Sequence, residues 1–477
     1  EQIREDGDTS LKTLINLDID ENRSLRPVGS EESEPKEKVK RRKDKHKEQV
    51  EEEHIIYSWK QLIEDGKNAI ALGDRQFIDA EVLGTDPAVI LYTSGTTGFA
   101  KGVVLTNRNI ADDLMMAPTI LNVNPEDIFF SVLPVHHTYE CTCAFLMPLY
   151  KGASIAFCEG LKYITKNLQE IRPTMLLGVP VLIETLYKRI WKTAKSEGKD
   201  KKLEKLMKLN KRTKKLNVNI AKKFAKDILD VFGGRMRVLI SGGAAIDPKI
   251  LQFFNDLGII AVQGYGLTEC SPMAALNPDV EKDMKNESVG HLLPGMKVKI
   301  VDADEDGIGE ICFKGPNVML GYYNNQEATD AVLKDGWFYT GDLGRVDTDS
   351  FIYITGRKKN VIITENGKNV FPEELEYELS HISFIAESMV WGDTGGEGVN
   401  STTIAATVIL DEDELKEVLG EEYTDEQAQD LVWSEIDKIN EHLPLFKKIK
   451  KLNIRKDKFN KTTGMKIKRF VESNKDA

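Results

Sequence analysis

The residues able to do chemistry gather in short, glycine-framed strings. Leu91 to Gly102 reads Leu-Tyr-Thr-Ser-Gly-Thr-Thr-Gly-Phe-Ala-Lys-Gly. Gly95 and Gly98 let the backbone approach an anion closely. Thr93, Ser94, Thr96 and Thr97 add hydroxyl donors, and Lys101 adds a mobile positive charge. Such a loop can wrap a polyphosphate as a backbone nest does. It is not a Walker A loop and lacks the dinucleotide spacing. By composition alone it is a flexible surface hairpin; the lysine and the later strings weigh towards phosphate.

Gln263 to Glu269, Gln-Gly-Tyr-Gly-Leu-Thr-Glu, is a compact nucleotide kit. Tyr265 offers an aromatic face between Gly264 and Gly266, Thr268 a hydroxyl, and Glu269 a hard carboxylate of the kind magnesium takes. Asp342 lies in Gly-Trp-Phe-Tyr-Thr-Gly-Asp-Leu-Gly. A buried aspartate needs a partner, and adjacent ribose hydroxyls are good ones. Arg357 and Lys359 lie in the basic turn Gly356 to Asn360, unremarkable alone but weighted by its spacing from Asp342. Leu133 to Glu140 ends a strand at Pro134 and leaves His137 and Glu140 on a loop or helix start. Two histidines and one glutamate make no convincing metal site, and an ordinary polar loop histidine is the alternative. Lys461 to Arg469 is a basic string near the C-terminus, in which a solvated tail is the alternative.

Taken together and in this order, the strings resemble those of the acyl-adenylate-forming superfamily, most of all the long-chain fatty acid–CoA ligases. The resemblance runs from about Ser58 to the C-terminus. It implies that Thr93 to Lys101 holds the β,γ-phosphates of ATP and that Gly243 and Ala244 lie against the nucleotide. It implies that Tyr265 stacks on adenine beside Gly266, that Thr268 meets the α-phosphate, and that Glu269 helps hold magnesium. Asp342 takes the ribose position, Arg357 the ribose-phosphate position, and His137 that of the Leu-Pro-x-x-His element. Glu140 resembles the long-chain branch. Lys359 matches a hinge, and Gly367 a loop lining the thiol-acceptor tunnel. Aligning Lys-Ile-x-Arg puts the catalytic lysine at Lys466; Met465 intervenes where glycine is usual, which leaves Lys461 and Lys468 as alternatives. The implied reaction is ATP-dependent activation of a fatty acid to acyl-AMP, then transfer to coenzyme A. The alternatives are a ligase loading a carrier protein, or a catalytically incomplete nucleotide-binding fragment.

Composition bounds the rest. A chain of 477 residues is too long for one simple core. A formal charge of −12 argues against a nucleic-acid partner. Cys141, Cys143, Cys158, Cys270 and Cys312 form no zinc spacing, and read as reduced thiols of a cytoplasmic protein. No apolar run is long enough to cross a membrane. Residues 31–53 are almost wholly charged and read as a solvated linker or exposed helix. Residues 184–230 read as a lysine-rich helical insertion, solvated first and a peripheral contact to the inner face of a membrane second. Homo-oligomerisation is left open. The chain starts at Glu1, and a further N-terminal portion is expected outside it.

The elements that must position these strings alternate between short apolar runs and helical patterns. Pro87 to Tyr92 and Val103 to Leu105 read as strands around the phosphate loop, and Thr106-Asn107 as a helix cap. Ile128 to Val132, Met236 to Ile240 and Ile259 to Val262 read as core strands; Asp247-Pro248 opens a helix. Phe145 to Tyr150 and Ser154 to Phe157 are expected to continue the core. Val289 to Tyr323 reads as a small lobe of antiparallel strands. The expected fold is therefore α/β. A large multi-lobed adenylate-binding domain (1–358), with α/β sheets and a small β lobe, is followed by a small mobile α+β lid (359–477).

Overall fold

The computed structural model describes residues 14–16, 23–24, 55–93, 100–213, 220–221, 230–364, 367–394, 402–461, 467–469 and 471–472. The charged stretch 31–53, Ser94 to Gly98 of the phosphate loop, and Lys466 lie outside the described residues. The chain divides into two compact units, Glu1–Val82 and Leu83–Ala477. In the first, β1 (Leu14–Asn16), β2 (Arg23–Ser24) and β3 (Ile55–Ser58) form a sheet in the order β1-β3-β2. Helix Trp59–Ala71 follows, its first turn capped by the Ser58 hydroxyl. No proline interrupts it before Gly73, which takes a left-handed φ of 91°.

In the second unit, β4 (Pro87–Thr93) and β5 (Lys101–Thr106) are the antiparallel strands that flank the phosphate loop. Thr106 and Asn109 form a reciprocal cap at the start of helix Asn107–Met116. The seven-stranded sheet comprises β6 (Ile128–Ser131), β7 (Ser154–Phe157), β8 (Met175–Gly178), β9 (Val238–Ser241), β10 (Ile260–Gly266), β11 (Met273–Leu276) and β12 (His291–Leu292). Its order is β12-β11-β10-β9-β8-β6-β7, and the pairs β6/β8, β8/β9 and β9/β10 are parallel. Alternation along these strands builds two cores. Phe129, Met175, Leu177, Val238, Ile240 and Val262 enter one cluster. Phe130, Leu176, Leu239 and Ala261 enter another, with Ile183, Leu251 and Phe254 from the helices. Burial of both faces explains why these strands read as continuous apolar runs.

One expectation is corrected at the sheet's edge. The runs Phe145 to Tyr150 and Ser154 to Phe157 do not simply continue the core. β7 is an outermost strand, and Leu149, Tyr150 and Phe157 are more than half exposed, at 56%, 57% and 54%. Apolar composition announces a core only where another layer covers it.

A second, antiparallel sheet holds β13 (Lys297–Val301), β14 (Gly309–Lys314), β16 (Leu333–Lys334), β17 (Trp337–Val346) and β18 (Ile352–Arg357). The expected small β lobe is present with two corrections, the first being that β12 belongs to the seven-stranded sheet. The second is that β15 (Gly321–Tyr322) leaves the antiparallel sheet and pairs with β5, in the order β15-β5-β4. Its flanking amides, Leu320 and Tyr323, donate to the carbonyls of Val104 and Gly102 at 3.0 and 2.7 Å.

After β18 come the two-strand hairpin of β19 (Ile362–Ile363) and β20 (Asn369–Val370) and helix Pro372–Leu379. A sheet of β21 (Ile385–Asp393), β22 (Thr403–Leu410) and β23 (Lys451–Arg455) follows, with helices Glu412–Leu419 and Asp425–Glu441. These elements have a hydrophobic cluster of their own, including Val370, Leu375, Val390, Val408, Val432 and Ile436. The described part of the lysine-rich insertion is helical, in Pro180–Ser196 and Asp200–Thr213.

Candidate nucleotide site

Because β6, β8, β9 and β10 run parallel, their carboxyl ends open on one edge of the sheet, where ligands bind in such folds. The sequence strings sit at those ends. β6 leads to Leu133-Pro134 and the His137 loop, β9 to Ser241 and the Gly242-Gly243-Ala244 turn, and β10 carries Tyr265 and Gly266 before Thr268 and Glu269. Gly243 has a φ of 86° and, with Ala244, faces solvent. Gly242 admits the Tyr139 ring; an added Cβ would sit 2.8 Å from it. Gly266 has no alternative either, since a Cβ there would stand 2.0 Å from the Pro272 carbonyl oxygen.

The second sheet meets this edge. The β17/β18 register sets Asp342 opposite Arg357. Asp342 is 3% exposed, and its two carboxylate oxygens are held separately. The Tyr265 hydroxyl donates to Oδ2, and Arg357 Nε lies 2.7 Å from Oδ1. Burial, then the Asp342 charge, push the Tyr265 phenol well above its ordinary range, so it stays a donor. Its ring lies 5.9 Å from that of Phe313. Next to Arg357, Lys358 pairs with Glu310 at 2.7 Å, and the other Glu310 oxygen accepts from the Gly341 amide at 3.1 Å.

The remaining predicted residues form a second group. Thr138, beside His137, donates to the Thr268 hydroxyl at 3.4 Å. Thr93 Oγ1 reaches the Lys101 carbonyl at 3.4 Å, and Lys101 Nζ stands 4.7 Å from the centre of the Tyr322 ring. The Tyr322 hydroxyl donates to Glu269 Oε1 at 2.9 Å. Gly367 is set apart, in the β19–β20 turn with a φ of 68°. Lys461 pairs with Glu387 at 2.9 Å and forms a β-bridge with Ile467.

The AMP-binding enzyme family model matches residues 8–323. The chain belongs to this family.

Among curated AMP-binding relatives, it is 31% identical over 331 residues to the long-chain-fatty-acid–CoA ligase FadD15 of Mycobacterium bovis, covering 66% of this chain and 54% of that one. It is 33% identical over 362 residues to the long-chain-fatty-acid–CoA ligase ACSBG2 of Rattus norvegicus, covering 71% and 54%. The chain thus spans about half the length of the curated relatives it matches. Among solved structures it is similar to ATP-bound MatB from Rhodopseudomonas palustris, with a TM-score of 0.64 and 27% identity over 86% of this chain and 72% of that one.

A magnesium ion, implied by the AMP-binding fold, fits the donor set modestly. Among the described residues, no three His, Cys, Asp or Glu side chains cluster as a metal cage. Magnesium needs none, since it commonly takes one or two carboxylates plus substrate phosphates. Glu269 is such a carboxylate, with one oxygen already fixed by Tyr322.

The sequence strings missed several residues that shape this site. Tyr322 and Thr138 reach it through pairings that no local spacing announces. Tyr139 donates to the Ile240 carbonyl at 3.1 Å and walls a small apolar cavity with Phe129, Cys143, Met147, Leu177 and Ile240. Asp113 is fully buried and bonded to Asn317 at 3.1 Å; burial raises its carboxyl well above the ordinary range. Asn317 also donates to the carbonyls of Cys270 and Met273, and so ties helix Asn107–Met116 to the loop after Glu269.

Proposed function

We propose that this chain activates a fatty acid with ATP, giving acyl-AMP and pyrophosphate, and then passes the acyl group to coenzyme A. The convergence of Tyr265, Asp342 and Arg357 supports the reading most, because a carboxylate held between a phenol and a guanidinium is pre-set for a ribose. A carboxylate accepts about four hydrogen bonds, so ribose hydroxyls can be accepted beside protein donors. Tyr265 and Gly266 would flank the base, with the exposed Gly243-Ala244 turn across from it. Lys101, Thr93 and the loop Ser94 to Gly98 would hold the β,γ-phosphates. Magnesium, taken by Glu269, would offset phosphate charge. Thr268 and His137 would face the α-phosphate and the incoming carboxylate.

The carboxylate oxygen attacks the α-phosphorus, and the bond to the bridging oxygen of pyrophosphate breaks. The thiolate of coenzyme A then attacks the acyl carbon, and AMP leaves. The protein's part is positioning and charge stabilisation. The long-chain names of the curated relatives favour a long acid. A hinge at Lys359 is supported by its neighbours. Lys358 is bonded to Glu310 of β14, and Asn360 to Glu373 of helix Pro372–Leu379 at 2.6 Å. The small lobe would therefore be 359–477, following a large domain to 358. Among the described residues no helix is long and apolar enough to cross a membrane. The basic helix Asp200–Thr213, with Leu209 exposed, supports a peripheral contact with anionic lipid.

The test is incubation with ATP, magnesium and fatty acid before coenzyme A is added. Pyrophosphate should appear, and mass spectrometry should detect acyl-adenylate. ATP binding without pyrophosphate would reduce the chain to a nucleotide-binding unit. Acyl transfer to a holo-carrier protein, but not to coenzyme A, would make it a carrier-loading ligase. Asp342→Ala should weaken ATP binding by about 1.5–3 kcal/mol, the range for hydrogen bonds to a charged group. Calorimetry on the folded variant reads this, and unchanged affinity removes Asp342 from the site.

A further inference from the structure

The geometry assigns Tyr322 a positioning role: one side chain holds the phosphate-loop lysine and the metal-facing carboxylate at a fixed separation. The inference rests on the ATP-binding role proposed above.

Tyr322 stands where two backbone attachments converge. β15 is zipped to β5, with Tyr322 opposite Val103 and Gly321 opposite Val104. Just before it, the Met319 amide donates to the Glu269 carbonyl at 2.8 Å. The segment 319–323 therefore joins the strand leaving the phosphate loop to the loop carrying Glu269. A further bond fixes the residue itself, as its amide donates to Thr329 Oγ1 at 2.9 Å.

On this frame the side chain acts at both ends. Its ring presents a negative π-face 4.7 Å from Lys101 Nζ. Its hydroxyl donates to Glu269 Oε1 at 2.9 Å. Tyr322 is only 9% exposed, and Lys101 and Glu269 are half-buried. Holding one oxygen of Glu269 fixes the carboxylate's rotamer before a cation arrives. Ordering that side chain is then no part of the cost of binding the cation. Lys101 and Glu269 are carried on separate elements, one on β5 and one on the short turn Thr268–Cys270.

The two contacts can be separated by substitution. Tyr322→Phe keeps the ring for Lys101 and removes the donor to Glu269. Tyr322→Leu removes both. ATP is titrated calorimetrically into each full chain, from chelator alone to saturating magnesium. Wild type should bind ATP more tightly as magnesium rises. Tyr322→Phe should need about tenfold more magnesium for half of that gain, the scale of one hydrogen bond to a charged group. Its magnesium-free affinity should stay at wild type. Tyr322→Leu should show the same shift and lose roughly threefold in magnesium-free affinity as well. In a Glu269→Gln background, Tyr322→Phe should shift the magnesium midpoint no further.

A Tyr322→Phe curve that overlays wild type overturns the role. So does a loss of magnesium-free affinity equal in both variants, which would make the tyrosine merely structural. If Tyr322→Phe does not fold, Thr329→Ala decides. It frees the backbone anchor while keeping the tyrosine, and an unchanged magnesium midpoint there overturns the role. Wild type that binds no ATP at any magnesium level defeats the proposed function and this role with it. Wild type that binds ATP beside an unaffected Tyr322→Phe defeats this role alone.

Discussion

Lys466→Ala is expected to slow acid-dependent pyrophosphate release by roughly 100- to 1000-fold, the range for losing one preorganised donor to a developing charge. Supplied with preformed acyl-adenylate and coenzyme A, the same variant should make thioester at nearly the wild-type rate. The reason is positional. A lysine that stabilises charge on the attacking carboxylate and α-phosphate has nothing to do once the adenylate exists. On either side of Lys466 in the chain, Lys461 and Ile467 form a β-bridge. Lys461 is paired to Glu387, and the Lys468 amide donates to the Asn460 carbonyl at 2.8 Å. Lys359→Pro should show the opposite bias, because proline restricts φ at a residue that must change it. Measuring both half-reactions in both variants checks the pair. Equal loss of both steps in Lys466→Ala would end the alternation scheme. Loss of neither would move the catalytic role to Lys468 before Lys461, whose ammonium is already engaged with Glu387.

Glu140 should make the stability of this chain fall as pH rises through neutrality. It is fully buried in the π-helical turn Tyr139–Leu146. Oε1 accepts the Ser131 hydroxyl at 2.5 Å, and Oε2 has no hydrogen-bond partner. The Ser131 bond stitches the π-turn to the strand entering the His137 loop. Desolvation outweighs hydrogen bonding and raises the Glu140 pKa from 4.5 to about 7. Tyr139 and Cys143 face it from the same turn and remain protonated, both pushed well up by burial.

The folded state therefore binds this proton more tightly than the unfolded chain does. Its contribution is fully present below pH 4.5 and is lost as pH rises to about 7. The shift corresponds to about 3 kcal/mol at 1.36 kcal/mol per unit. Glu140→Gln mimics the neutral, protonated form, with an amide NH2 in place of the acid's O–H. Denaturant unfolding at pH 5 should find wild type and variant nearly equal. At pH 8 the variant should be the more stable by about that amount. A stability difference that does not change with pH would show that Glu140 keeps its charge throughout.

The strings that nominate the candidate site were legible because their chemistry is local. Glycines at 95 and 98 with hydroxyls between them, or tyrosine, threonine and glutamate inside seven consecutive residues, are patterns that a short peptide already carries. Helix starts were legible for the same reason. Thr106 and Asp247 cap the helices that follow them through bonds spanning two or three residues. The central strands announced themselves by apolar runs that both faces of a covered sheet require.

What lay beyond reach was every contact set by pairing between distant segments. Asp342 meets Tyr265 and Arg357 because β17 pairs with β18 and the antiparallel sheet abuts β10, across 77 residues in the case of Tyr265. Tyr322 reads as one more strand residue until β15 is seen to leave its expected sheet for β5. Exposure is equally non-local: Leu149, Tyr150 and Phe157 have core composition, yet no further layer covers them, and Phe157 lies on β7, an outermost strand. The protonation of Glu140 could not be read from the string His-His-Thr-Tyr-Glu, since desolvation depends on what the whole fold packs around a carboxyl. Local hydrogen bonds and periodicity are fixed by residues within a few positions of each other. Partners, burial and electrostatics are fixed by which surfaces the folded chain brings together.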